Sequence, residues 1–254
     1  MPLPAPPAQG YVICATPRCG STLLCHMLRA TGAAGHPESW FHRPDLAEWC
    51  ATYGISIDPA LDPAGAMRGC ATQGITAGQA ATQVFGLRLQ YKSLAYLMDQ
   101  LAAAYPDAAD DPARLDAAFG PLRYIYLRRE DKLAQAISRV RAEQSGLWHQ
   151  APDGTEIERL SDPQAPAFDR ARLAEVIAEL EAHERGWMEW FARHKITPFA
   201  LDYETLATDP IQHLCAVLRF LHLPDEAADR VTVPTVKLAD SVNAAWAKAY
   251  RDGA

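Results

Sequence analysis

No run of about 18 apolar residues occurs in this chain, so no stretch qualifies as a membrane-spanning helix. The opening MPLPAPPAQG has neither a basic segment nor an apolar one, so it is expected to be an extended arm over residues 1–10 rather than a secretory signal. The six cysteines (Cys14, Cys19, Cys25, Cys50, Cys70, Cys215) form no C-x-x-C pair and no Cys/His cluster with zinc spacing. A metal site is therefore not expected, and the reducing cytoplasm is the expected compartment. Basic residues are outnumbered: the net charge is −7, which argues against a general nucleic-acid binder.

What is present suits an enzyme core. Apolar residues make up 49 % of 254 positions, enough for one large α/β domain spanning 1–254. The stretch YVICATPRCGSTLLCHML, residues 11–28, organises the rest. Tyr11 to Ala15 reads as a buried strand, Thr16 to Thr22 as a small-residue turn, and Leu23, Leu24, Met27 and Leu28 as the apolar stripe of a helix. A strand, a tight loop and a helix start offer unpaired backbone N–H groups to a phosphate. Compared with G-x-x-x-x-G-K-[ST], the loop has Ala15 at the first glycine, Gly20 at the second and Ser21 in place of the lysine. Thr22 keeps the hydroxyl and Arg18 brings a cation into the loop. Without the lysine, a nucleoside triphosphate loses its main counter-charge. A 5′-phosphate carrying a smaller transferable group needs less.

Further candidates follow along the chain. His36-Pro37-Glu38-Ser39-Trp40 stands after a turn, close in sequence to the loop; Glu38 is the first choice for a proton acceptor and His36 the alternative. Residues 43–82 are irregular, with weak helical patterns at 46–49 and 64–81, and are expected to be an acceptor-binding insertion. Residues 82–90 predict a strand ending in Arg88, at the edge where α/β proteins bind ligands. Helices are expected over 92–104 and over 112–119, the latter capped by Asp111. The strand 122–127 runs into Arg128-Arg129 and a helix that places Ser138 nine residues after Arg129, a pair suited to a phosphate. Residues 144–168 read as a mobile loop. A long helix over 170–195, a strand from 197, a helix over 211–221 and a helical tail complete the pattern. Lys237 in that tail is a further, lesser candidate to reach a nucleotide.

These pieces, in order, resemble the bacterial trehalose 2-sulfotransferase-like family, which includes lipopolysaccharide-type carbohydrate sulfotransferases. The resemblance is carried by YVICATPRCGSTLL, RATGAAGHPESWF, VFGLRLQ, IYLRREDKLAQAIS, RGWMEWF with LDYETL, and LADSVNAAWAKAYR. It implies a P-loop-type three-layer α/β fold with a central parallel sheet flanked by helices. It also implies 3′-phosphoadenosine 5′-phosphosulfate (PAPS) as donor, 3′-phosphoadenosine 5′-phosphate (PAP) as product, a saccharide or glycolipid acceptor, and the possibility of a homodimer. On that basis Arg18, Cys19, Gly20, Ser21 and Thr22 hold the 5′-phosphosulfate, Arg129 and Ser138 hold the 3′-phosphate, and Glu38, His36 and Arg88 serve the transfer. The family's general-base glutamate aligns with Ser39, and its lysine with Arg88. Two other readings stay open on the residues alone: a P-loop kinase-like phosphotransferase, and a non-catalytic PAP- or nucleotide-binding protein.

Overall fold

The computed structural model describes residues 9–42, 45–150, 155–232 and 241–253. Four parallel strands form its centre: β1 (Gln9–Ala15), β2 (Val84–Gln90), β3 (Leu122–Arg128) and β6 (Phe199–Asp202), in the order β2-β1-β3-β6. From β1 the chain goes first to one side, to β2, and then to the other, to β3. That reversal places a topological switch point at the carboxyl end of β1, where open α/β sheets bind ligands. The register aligns the strand ends there: Ala15 pairs with Gln90, and Cys14 with Tyr126.

Burial on both faces explains why β1 reads as an unbroken apolar run. Tyr11, Ile13 and Ala15 pack with Leu24, Met27 and Leu28 of α1 (Ser21–Ala30) and with Leu214 and Leu218 of α9 (Pro210–Phe220). Val12 and Cys14 face the opposite layer. There α3 (Pro63–Gln79), α4 (Tyr91–Ala104), α5 (Asp111–Phe119) and α7 (Arg170–Arg193) supply Met67, Leu97, Phe119, Trp187 and Phe191. A third cluster joins α6 (Lys132–Ser145), α7 and α10 (Ser241–Arg251) through Val140, Val176 and Trp246. The architecture is thus three layers around a parallel sheet, as the family resemblance implied.

Several local expectations change. The helix after Asp110 is capped by Asp110, whose side chain accepts from Ala113 N at 2.9 Å; Asp111 is already helical, because Pro112 suits the first turn rather than its first position alone. Within 43–82, α2 (Leu46–Tyr53) and α3 are well-formed helices; Asp45 and Asp62 cap them, and small residues let α3 lie close to its neighbours. The expected loop over 144–168 contains an antiparallel pair, β4 (Leu147–Gln150) and β5 (Glu156–Arg159). Its strands are short and polar, so no apolar alternation announced them. A short helix, α8 (Tyr203–Thr208), follows β6 directly. Residues 1–8 and Lys237 lie outside the described residues. Among the described residues no helix is long and apolar enough to cross a membrane.

Candidate functional site

The loop between β1 and α1 holds two residues at positive φ, one on each side of Cys19. Arg18 has φ 63° and Gly20 has φ 90°, both in the left-handed region. For Arg18 that conformation is costly, and such strain persists where the surroundings impose it. Several contacts impose it here. Gln135 Nε2 of the fully buried Gln135 donates to Thr16 Oγ1 at 3.0 Å and to Pro17 O at 2.7 Å. Trp187 Nε1 donates to Ala15 O at 3.0 Å. At Gly20 a Cβ would lie 2.3 Å from Tyr203 Cδ2, so only glycine fits between the loop and α8. No side chain caps α1 at Gly20. The loop's shape therefore keeps the helix start open toward the sheet edge, the condition for an anion cradle.

Arg88 links this loop to the segment that follows α1. Its Nη1 donates to Thr22 Oγ1 at 2.7 Å, its Nε to Ser39 Oγ at 2.8 Å, and its Nη2 faces Glu38 Oε2 at 3.3 Å. A single parallel bridge, Glu38 with Leu87, sets this geometry: Arg88 N donates to Glu38 O at 2.9 Å. The side chains are half-buried, 16 % exposed for Arg88 and 31 % for Glu38, so the charges are shielded yet reachable. His36 stands beside them. Its ring meets Trp40 edge-on at 5.3 Å, and burial, aided by the Arg29 charge, lowers its pKa while Glu38 opposes the shift. The imidazole is thus neutral near pH 7, as a proton acceptor must be.

The second group of expected residues converges on the first at Arg18. Arg18 Nε donates to Ser138 Oγ at 3.0 Å and its Nη1 to Trp148 O at 2.6 Å, while Arg129 Nη1 donates to Arg18 O at 3.4 Å. Arg129 lies over the ring of Tyr203 at 4.6 Å, near Glu204 at 4.0 Å, and its buried Nε has no hydrogen-bond partner. A planar cation held by an aromatic face, with a donor that makes no hydrogen bond, suits a phosphate. Cys19 is fully buried, and burial raises its thiol pKa, so this residue serves the loop by packing. Ser21 is also buried.

Four residues at this site carried no functional expectation from the sequence: Gln135, Trp187, Tyr203 and Glu204. Glu204 accepts from the backbone N–H groups of Glu130 at 3.1 Å and Asp131 at 3.2 Å, fixing the turn after Arg129. The polar end of LDYETL was the one available signal. His26 was also missed. It lies one helical turn after Thr22 on the same face of α1, and burial lowers its pKa. Among the described residues no group of three or more His, Cys, Asp or Glu is placed to hold a metal ion.

The profile of the Stf0 sulphotransferase family matches residues 10–253, which take in all of the site residues named above. The chain belongs to the Stf0 sulphotransferase family. It is a sulfotransferase. It is 31 % identical over 216 residues to trehalose 2-sulfotransferase of Mycobacterium tuberculosis, covering 77 % of this chain and 78 % of that one. It is 29 % identical over 262 residues to the trehalose 2-sulfotransferase of Mycolicibacterium smegmatis, covering 95 % of this chain and 94 % of that one. A sulfotransferase structure from Alicyclobacillus acidocaldarius superposes with a TM-score of 0.43 at 16 % identity, covering 98 % of this chain and 92 % of that one. In this Stf0 family member the loop at Gly20 and the Arg88 cluster lie side by side at the carboxyl edge of the sheet.

Proposed function

We propose that this sulfotransferase moves the sulfuryl group of PAPS to a hydroxyl of a carbohydrate or glycolipid. The observation that carries the reading is Arg88, whose one guanidinium touches Thr22 of the anion loop, Ser39 and Glu38. It joins the donor cradle to a proton acceptor within one hydrogen-bonded unit. The names of the curated relatives support a saccharide acceptor.

The residues present fit such a donor. Only glycine fits at position 20, and the buried Arg129 Nε, 4.0 Å from Glu204 Oε1, makes no hydrogen bond. The loop around Gly20, Ser21 and Thr22 receives the 5′-phosphosulfate, with Arg18 between the two phosphate sites. Arg129 and Ser138 receive the 3′-phosphate. When bound, PAPS supplies an activated sulfuryl group whose leaving group is a phosphate. Glu38 takes the proton of the acceptor hydroxyl as the new O–S bond forms; His36 is the alternative acceptor. Arg88 and the loop donors meet the charge that builds on the sulfuryl oxygens, and preorganised donors of this kind are each worth about 3–4 kcal/mol. Residues 45–82, with α2 and α3, border the Glu38 side and are the proposed acceptor-binding insertion. The six thiols are unpaired, which suits the cytoplasm. Assembly as a homodimer belongs to the same proposal.

Calorimetric binding of PAP against ADP and AMP tests the donor. A strong preference for PAP is expected. Equal affinity for the three would remove the 3′-phosphate site and with it the donor.

A further inference from the structure

Two buried oxygens at the start of α4 have no partner. Gln90 is 8 % exposed and Ser93 2 % exposed, and neither Gln90 Oε1 nor Ser93 Oγ makes a hydrogen bond. These residues occupy the N-cap and third helical positions, the two that reciprocally satisfy each other in a capping box. Here they do not: Gln90 has φ −82° and ψ 139°, and its side chain caps nothing. Buried polar atoms without partners are uncommon, and two together at one helix start demand an account.

Their place in the sheet supplies it. Gln90 pairs with Ala15, the last residue before the anion loop, as Arg88 pairs with Ile13. Strand alternation puts Gln90 on the same face as Arg88, about 6–7 Å nearer the open edge. That face carries Thr22, Glu38 and Ser39, all in contact with Arg88. Gln90 thus lies on the face where acceptor and donor are proposed to meet, and Ser93 follows it in the first turn of α4. An amide oxygen repels a sulfuryl or phosphate oxygen, so the unpartnered Gln90 Oε1 does not suit the group that is transferred. A neutral hydroxyl is the right ligand: it donates to Gln90 Oε1 and accepts from the Ser93 hydroxyl or from an uncapped N–H of α4. The terminal amide torsion of glutamine is soft, so turning the oxygen toward an arriving ligand is cheap.

We propose that Gln90 and Ser93 bind a hydroxyl of the acceptor and so help to set which hydroxyl faces Glu38. The inference rests on the carbohydrate-acceptor reading above, and it adds two specificity-determining residues to it. Both act on the acceptor and neither on the donor.

The test uses the full chain, the variants Gln90→Leu and Ser93→Ala, and trehalose, maltose and sucrose as probes. Saccharide binding is measured on PAP-saturated protein, transfer is measured with labelled PAPS, and PAP affinity and thermal unfolding are measured alongside. Each variant is expected to weaken saccharide binding and raise its KM by about ten-fold or more, as loss of a buried hydrogen bond to substrate does. PAP affinity stays within about two-fold, because no donor contact is lost. Ser93→Ala keeps or raises the melting temperature, since it removes an unsatisfied hydroxyl. Unchanged saccharide affinity in both variants overturns the inference and leaves the sulfotransferase reading intact. A parallel loss of PAP affinity, or a clear fall in the melting temperature of Ser93→Ala, assigns the pair a structural role and also overturns it. If the unaltered protein prefers PAP but neither binds nor sulfates any of the three sugars, the carbohydrate reading fails and the inference falls with it.

Discussion

Tyr203 closes against Gly20 so tightly that a Cβ on Gly20 would stand 2.3 Å from its ring. The same ring carries the Arg129 guanidinium at 4.6 Å. One tyrosine of α8 thus sets both the loop that should receive the 5′ end of a donor and the cation that should receive its 3′-phosphate. Gly20→Ala should therefore cost about 1–3 kcal/mol of stability from the positive φ alone, before the clash is counted. It should also abolish PAP binding. Denaturant unfolding and calorimetry measure the two effects; a variant with unchanged stability and PAP affinity would show that the loop has another shape.

Arg129→Ala should weaken PAP by about 10- to 100-fold, the range for a charged hydrogen bond, and leave AMP nearly unchanged. AMP lacks the 3′-phosphate, so the comparison isolates it. Equal losses for both nucleotides would move Arg129 away from that phosphate.

Glu38→Gln keeps the shape beside Arg88 and removes the proton acceptor. Transfer should fall by about 10²- to 10⁴-fold while PAP still binds. A rate that holds in this variant and falls in His36→Asn would reassign the proton to His36, whose lowered pKa already keeps it neutral.

Stability should decline as pH falls below about 6.5, the ordinary histidine value. Burial lowers the pKa of His26, His36 and His183, each partly opposed by a carboxylate, Glu38 for the first two and Glu179 for the third. The folded state then binds fewer protons than the unfolded chain in this range, so acid favours unfolding, and the loss grows until pH passes the lowered values. Melting temperatures from pH 8 to pH 5 read this directly; a rise on acidification would contradict it.

Cysteine reactivity offers an independent check on the core. Cys14, Cys19, Cys25, Cys50 and Cys70 are buried, and burial pushes Cys25 up to about 12. Thiolate is the reactive form, so a disulfide reagent should label Cys215 alone in the native protein and all six after unfolding. Rapid native labelling of Cys19 would mean that the loop opens.

The strand–loop–helix at Tyr11 to Leu28 was legible because burial on both faces and a glycine at a forced left-handed position leave direct marks in the residue order. Glu38, Arg88 and Arg129 were legible as polar residues next to the β1–α1 loop or near the carboxyl end of a strand, and Ser138 by its spacing from Arg129. The hairpin of β4 and β5 was not, because short polar strands carry no apolar period. Nor were the contacts of Gln135, Trp187, Tyr203 and Glu204 with the site, each a side chain that meets it from a distant part of the chain. By itself the sequence determined the parallel α/β class, the anion loop and the kinds of groups around it. Only the tertiary structure decided that Arg88 joins Thr22 to Glu38, that Arg18 meets both Ser138 and Arg129, and that Gln90 Oε1 and Ser93 Oγ are left without hydrogen-bond partners. The reason is physical: local order follows from burial and backbone preference within a few residues, whereas which donor meets which acceptor depends on the packing of strands and helices far apart in the chain.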